Sequence, residues 1–330
     1  PIKWKEQGRF IGDGRNPHYD WHGFIPHKNK PHSFNPKQGF LFSANQHPTG
    51  PEYPYYLSET FWSSFRAKRI RNVLEENKLL SVQDMINLQN DNTNMLAKTL
   101  LPYMLDSIDE ESLTYLNLKI YKMLKKWDYK NDREKISPTI FDIWYKLIEK
   151  ETWLDNFGKK DDYTMWPSID KLCELIETDI NSKWFDNINT LNIENFTEIS
   201  KEQFENTIKS LIDKYGDFGS HWDWGHHQST DINHLAKIPG FGNKDLYTSG
   251  GMWTVNATTK KFGPSWRSIV VMGDSVIAKG IYPGGQSGFP GSKYYDNMIE
   301  NWIEGELFDL EFSNNFKKIN GHKVLFMTNK

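Results

Sequence analysis

Between about residue 58 and residue 216 apolar side chains recur at helical spacing with few breaks, whereas both flanks are rich in Gly and Pro and carry short strand-like runs. A chain built this way cannot be a helical bundle or a β-sandwich throughout. It predicts an α+β protein in three stretches: 1–57 as strands and ordered loops, 58–216 as a helical region, and 217–330 as a strand-rich segment. A sheet that takes strands from both flanks makes this one domain, and the other arrangement is two separate domains.

The helical signals are specific. Phe61, Trp62, Phe65, Ile70, Val73 and Leu74 follow Ser58, which predicts an N-cap there. "SVQD" at 81–84 has the form of a capping box, Pro138 suits a first helical turn, and Gly216 a helix end. After residue 217, "SWRSIVVMGD" and "SVIAKGIYP" read as strands, followed by the turn "PGGQSGFPGS".

Composition narrows the class. Apolar residues are 37% and aromatics 15% of 330 residues, enough for a core, so the chain is a folded one. A formal charge of −3 and a pI near 6.4 leave no electrostatic footprint for nucleic acid. The basic run "RAKRIR" at 66–71 reads as the solvated face of a helix. No run of eighteen apolar residues exists to form a membrane-spanning helix, and the amino end lacks the apolar core of a signal peptide and an initiator Met, as though cut from something longer. The single cysteine, Cys173, excludes an internal disulfide framework and reads as a small buried hydrophobe.

Three clusters carry chemical potential. His221, His226, His227 and His234 lie beside Asp223 and Asp231, which is ligand chemistry without a zinc-site spacing; hydrogen-bonded loop histidines are the plainer account, and no helix is expected around "DWGHH". The glycines of "YPGGQSGFPG" lack the order of a phosphate loop and suit a tight turn in which Gln286 and Ser287 bond the backbone. Pro1 carries a secondary amine, although a cleavage boundary accounts for it more simply. Finally, "GFLFSANQHPTG" at 39–50 delivers Asn45 to a turn at the end of an apolar run.

Five blocks in order give that asparagine a context: "YDWHGFIPHKNKPHSFNPKQGFLFSANQHP", "YPYYLSETFWSSFRAKRIRNVLEE", "GGMWTVNATT", "GPSWRSIVVMGD" and "YPGGQSGFPGSKYYDNMIENWIEGE". Together they resemble the second half of the β chain of the penicillin acylase family of amino-terminal-nucleophile (Ntn) hydrolases. Likeness is weakest between about 128 and 216. The resemblance implies the C-terminal portion of an αββα Ntn sandwich with a large helical insertion. It implies hydrolysis of linear amides of N-acylated small molecules, of the penicillin side-chain or N-acyl homoserine lactone kind. The nucleophile, an N-terminal Ser, Thr or Cys whose own α-amine is the base, would lie outside this chain.

By the same resemblance Asn45 is an oxyanion-hole donor and Arg66 a neighbour of the nucleophile. The family's SPHY block is "SKYY" at 292–295 here, with no catalytic role implied by the change. No cofactor is implied, and calcium belongs to the complete protein without support from this chain. The implied partners are the remaining N-terminal segment or α chain of the same precursor and the N-acyl substrate, with export from the cytoplasm expected. The contrasting expectation is a scaffold or binding protein of family descent without chemistry, and a metal-binding module on the histidine cluster comes third.

Overall fold

The structure, a computed structural model, describes residues 1–9, 11–58, 60–76, 79–160 and 165–311. Nine helices and five strands are present among them: α1 (Phe65–Glu76), α2 (Val82–Gln89), α3 (Met95–Asp106), α4 (Tyr115–Lys125), α5 (Ser137–Phe157), α6 (Ile169–Thr178), α7 (Phe196–Tyr215), α8 (Trp224–Gln228), β1 (Thr230–Asn233), β2 (Gly242–Leu246), β3 (Arg267–Val271), β4 (Ile277–Ile281), α9 (Ile299–Glu304) and β5 (Phe308–Leu310).

Local chemistry sets the helix ends. Ser81 and Asp84 form the reciprocal capping box expected of "SVQD", and Asn195 with Glu198 forms a second one at the start of α7. Pro138 occupies the first turn of α5, and Gly216 ends α7 at φ 83°, a conformation a side chain would resist. The expected start of α1 at Ser58 is wrong by seven residues. The amide of Trp62 is taken by the Asn45 carbonyl at 2.9 Å and the Ser63 hydroxyl by Asp170 of α6, so the segment is bent into a turn before the helix can begin.

The helices enclose the main core. Leu96, Leu100 and Met104 of α3, Ile120 of α4, Trp144 of α5, Leu172 of α6 and Phe204 of α7 are all essentially out of solvent. Trp144 and Phe204 pack with ring centroids 4.8 Å apart, and the Trp144 indole donates to the Ser200 carbonyl at 2.9 Å. That bond lets a large polar-edged ring be buried without an orphaned N–H.

The strands are short. β1 and β2 pair antiparallel with an irregularity between Thr230 and Ile232, and β3, β4 and β5 form a separate antiparallel sheet in that order. Arg267 faces Ile281, and Gly280 faces Phe308, in that sheet's register. The strands expected in the first 57 residues do not form among the described residues, where two 3-10 turns and one bridge, Lys3 to Tyr56, are the regular features. Period-2 alternation specifies a face, but a strand also needs a neighbour to take its amides, and the run at 39–43 has none among the described residues.

One buried junction ties the helices to the strands. Arg267, only 4% exposed, donates from Nη1 to the Trp302 carbonyl of α9 at 2.6 Å and from Nη2 to Asn256 Oδ1 at 2.8 Å. Asn256 in turn donates from Nδ2 to Asn92 at 3.0 Å, between α2 and α3, and its amide meets the Asp91 carbonyl at 3.0 Å. The loop that presents Asn256 turns at Gly250, φ 96°, where a Cβ would stand 2.2 Å from the Asn256 carbonyl oxygen. Replacing Asn256 with Leu leaves a buried guanidinium without one of its two acceptors and is expected to cost about 3 kcal/mol of stability. Urea unfolding of the variant against the unmodified chain measures it.

Candidate active site

Asn45 sits at φ 66°, the left-handed region that asparagine tolerates better than most residues. The turn around it is tied down locally: the Ala44 amide donates to Gln46 Oε1 at 2.7 Å, and Ala44 itself is buried. Arg66, the second residue of α1, reaches back into this turn. Its Nη2 donates to the Ala44 carbonyl at 3.0 Å and to Asn45 Oδ1 at 2.9 Å.

A guanidinium can only donate, so the carboxamide atom facing it must be the oxygen, which settles the orientation of the amide. The Nδ2 hydrogens therefore point away from Arg66, and among the described residues no acceptor meets them. The result is a fixed, solvent-facing N–H pair backed by a positive charge. Half-burial pulls the Arg66 pKa below its ordinary value, yet an arginine stays charged at neutral pH.

The basic run at 66–71 is only in part the solvated face that its composition predicts, because Arg66 and Arg69 are half-buried and engaged. Arg69 is paired with Asp91 at 2.6 Å in a partly buried bridge, and Arg71 lies over the Phe42 ring at 5.6 Å. Lys68, over Phe65, and Arg71 keep to the expected exposed positions. Charge runs do not reveal which cations have partners far away in sequence, as Asp91 is from Arg69 and Phe42 from Arg71.

The four histidines do not share one site, and His221 is exposed in the 3-10 turn Ser220–Trp222. His226 Nδ1 meets Asp223 Oδ1 at 2.7 Å. His227 is held by Asp142 of α5 at 3.2 Å through Nε2 and by the Tyr215 hydroxyl at 3.1 Å through Nδ1. His234 packs on Phe241. Among the described residues no three His, Cys, Asp or Glu side chains converge on a point that could hold a metal ion. "DWGHH" does form a short helix, α8, against expectation, because the Asp223 side chain caps it by accepting from the His226 amide at 2.9 Å.

The other sequence candidates are structural. Ser287 Oγ accepts from the Phe289 amide inside the glycine-rich turn, and Tyr295, the last residue of "SKYY", accepts from the Gly242 amide at 2.8 Å. Cys173 is buried, and burial pushes its thiol up to about 12, so it is an inert packing group. Two residues that bear on the Asn45 turn carried no functional signal in the sequence: Trp253, whose ring meets Phe65 of α1 edge-on at 5.6 Å, and Tyr145 behind it.

With this geometry in view, the comparisons with known proteins are consistent. The sequence model of the penicillin amidase family matches residues 1–317, and the chain belongs to that family. Among its relatives are acyl-homoserine lactone acylases QuiP of Pseudomonas aeruginosa, 23% identical over 99% of this chain and 44% of the relative, and of Pseudomonas syringae pv. tomato, 24% identical over the same shares. A penicillin acylase 2 proenzyme of a Pseudomonas species is 29% identical over 26% of this chain and 11% of its own. The thermostable penicillin G acylase of Alcaligenes faecalis superposes with a TM-score of 0.60 at 16% identity, over 94% of this chain and 60% of that one. The chain is thus α+β with the fold of an Ntn hydrolase, and it spans less than half the length of the curated relatives it matches along its whole extent.

The buried pair beneath α8 has a pH signature. Burial pushes the Asp142 carboxyl up, but the His227 hydrogen bond and the Lys146 charge outweigh it and hold the group below the usual carboxylate range. A depressed folded pKa contributes stability that is complete above the unfolded value, near 4, and is lost as pH falls through the folded value. Asp142→Asn is expected to lower stability at pH 7 by about 3 kcal/mol. It should also lose less than the unmodified chain between pH 7 and pH 3, as read by urea unfolding at both.

Proposed function

We propose that this chain is the oxyanion-donor part of an Ntn amide hydrolase, and the observation that carries the reading is the Asn45 carboxamide, held by Arg66 with its N–H pair free. The nucleophile, an N-terminal Ser, Thr or Cys, comes from the rest of the precursor, the other segment with which this chain associates. Its hydroxyl or thiol gives its proton to its own α-amine and attacks the amide carbonyl carbon. Negative charge gathers on the carbonyl oxygen, and Asn45 Nδ2–H donates to it without reorganising. The tetrahedral species collapses, the C–N bond breaks, and the amine leaves with the proton. Water then cleaves the acyl-enzyme to the free acid.

Arg66 has two parts in this scheme. It fixes the donor, and its charge favours the neutral, basic form of a nearby amine. The chemistry is complete without a cofactor, and calcium is left to the complete protein. The substrate class is an N-acylated small molecule. The relatives that match along the whole chain are named for acyl-homoserine lactones, which favours a fatty-acyl amide over a penicillin side chain. Export from the cytoplasm is part of the same reading and rests on the family resemblance alone.

Two measurements test the reading. Intact mass of the full-length precursor is expected to show self-cleavage directly before a Ser, Thr or Cys, while an uncleaved precursor would favour a scaffold without chemistry. In the processed protein, Asn45→Ala is expected to lower kcat by about 10²- to 10³-fold on a fatty-acyl anilide, with little change in KM. The isolated 330 residues should not hydrolyse that anilide.

A further inference from the structure

The guanidinium of Arg66 can orient Asn45 only if the first turn of α1 stands where it does. Ser64 closes that turn through its carbonyl, which takes the Lys68 amide at 2.7 Å, and Phe65, 2% exposed, is the apolar anchor beside Arg66. Phe65 makes its aromatic contact with Trp253 at a centroid distance of 5.6 Å and an interplanar angle of 77°. An edge-to-face pair of this kind has a preferred geometry, so it fixes rotation as well as distance.

Trp253 is itself held from outside α1. Its Nε1 donates to the Tyr145 hydroxyl at 3.2 Å, and Tyr145 is buried on α5. The loop on either side is pinned by Thr254 Oγ1, which donates to the Asn256 carbonyl at 2.7 Å, and by the Gly250 turn. A continuous run of contacts therefore passes from α5 through Tyr145, Trp253, Phe65 and Arg66 to the carboxamide of Asn45.

We propose that Trp253 is a positioning residue for the oxyanion donor, acting through Phe65 and Arg66; this rests on the reading of Asn45 given above. Trp253 belongs to a loop more than 170 residues away in sequence from α1 and more than 200 from Asn45, and its ring contact is with Phe65. Loss of its ring frees the start of α1 to shift, and a donor displaced by about 1 Å forfeits much of its effect on the transition state.

The test is a double-mutant cycle in the full-length processed protein, read as kcat and KM on a fatty-acyl anilide with thermal unfolding alongside. Trp253→Ala is expected to lower kcat by about ten- to a hundredfold with KM nearly unchanged. Added to Asn45→Ala, it should lower kcat no further, because the donor it positions is already gone. Should Trp253→Ala not fold, Trp253→Leu carries the same cycle. An equal fall in both backgrounds, or none in either, overturns the proposal. If Asn45→Ala alone leaves kcat unchanged, it is the oxyanion reading that has failed, and the positioning role goes with it.

Discussion

A guanidinium buried without a carboxylate is the constraint around which the strand-rich end is built. Arg267 has no acidic partner among the described residues, and burial pulls its pKa down to about 10. Its charge is carried by neutral dipoles, the Trp302 carbonyl and the Asn256 carboxamide, with the Trp302 ring 5.1 Å from the cation. Those two acceptors come from α9 and from the loop after β2, so meeting them brings three distant pieces together. Asn256 extends the same network to the Asn92 turn of the helical layer.

That junction also reaches the candidate site. The loop anchored by Asn256 presents Trp253, Trp253 supports Phe65, and Arg66 follows Phe65 on α1. Asn45 then receives its orientation from a single charged hydrogen bond at 2.9 Å. The proposed donor lies on a loop, and its rigidity is supplied by packing from two other parts of the chain. This is the usual division between a loop that carries a functional group and a scaffold that holds it.

The contrast between the two ends of the chain follows from what each element needs. Helices satisfy their own amides, and α3, α5 and α7 close a core among themselves. Strands satisfy theirs through neighbours. Residues 1–64 carry exposed Trp21, Phe24 and Leu41, and among the described residues they form no strand and their apolar runs meet no partner strand. The expectation of strands there treated a pattern of side chains as though it settled the backbone pairing.

The sequence by itself determined the helices α2 and α4 to α7, the caps at Ser81 and Gly216, the strands β3 and β4, and the pairing of interest, Asn45 with Arg66. Each of these rests on local spacing or, for the last, on ordered blocks that resemble a family. Tertiary structure alone decided that Arg66 faces the Asn45 oxygen, that Arg69 and Arg71 are engaged, that His226 and His227 serve different carboxylates, and that Trp253 stands under α1. All but the His226–Asp223 pair are contacts between residues far apart in the chain, and neither periodicity nor propensity encodes which side chain will meet which once the chain has closed.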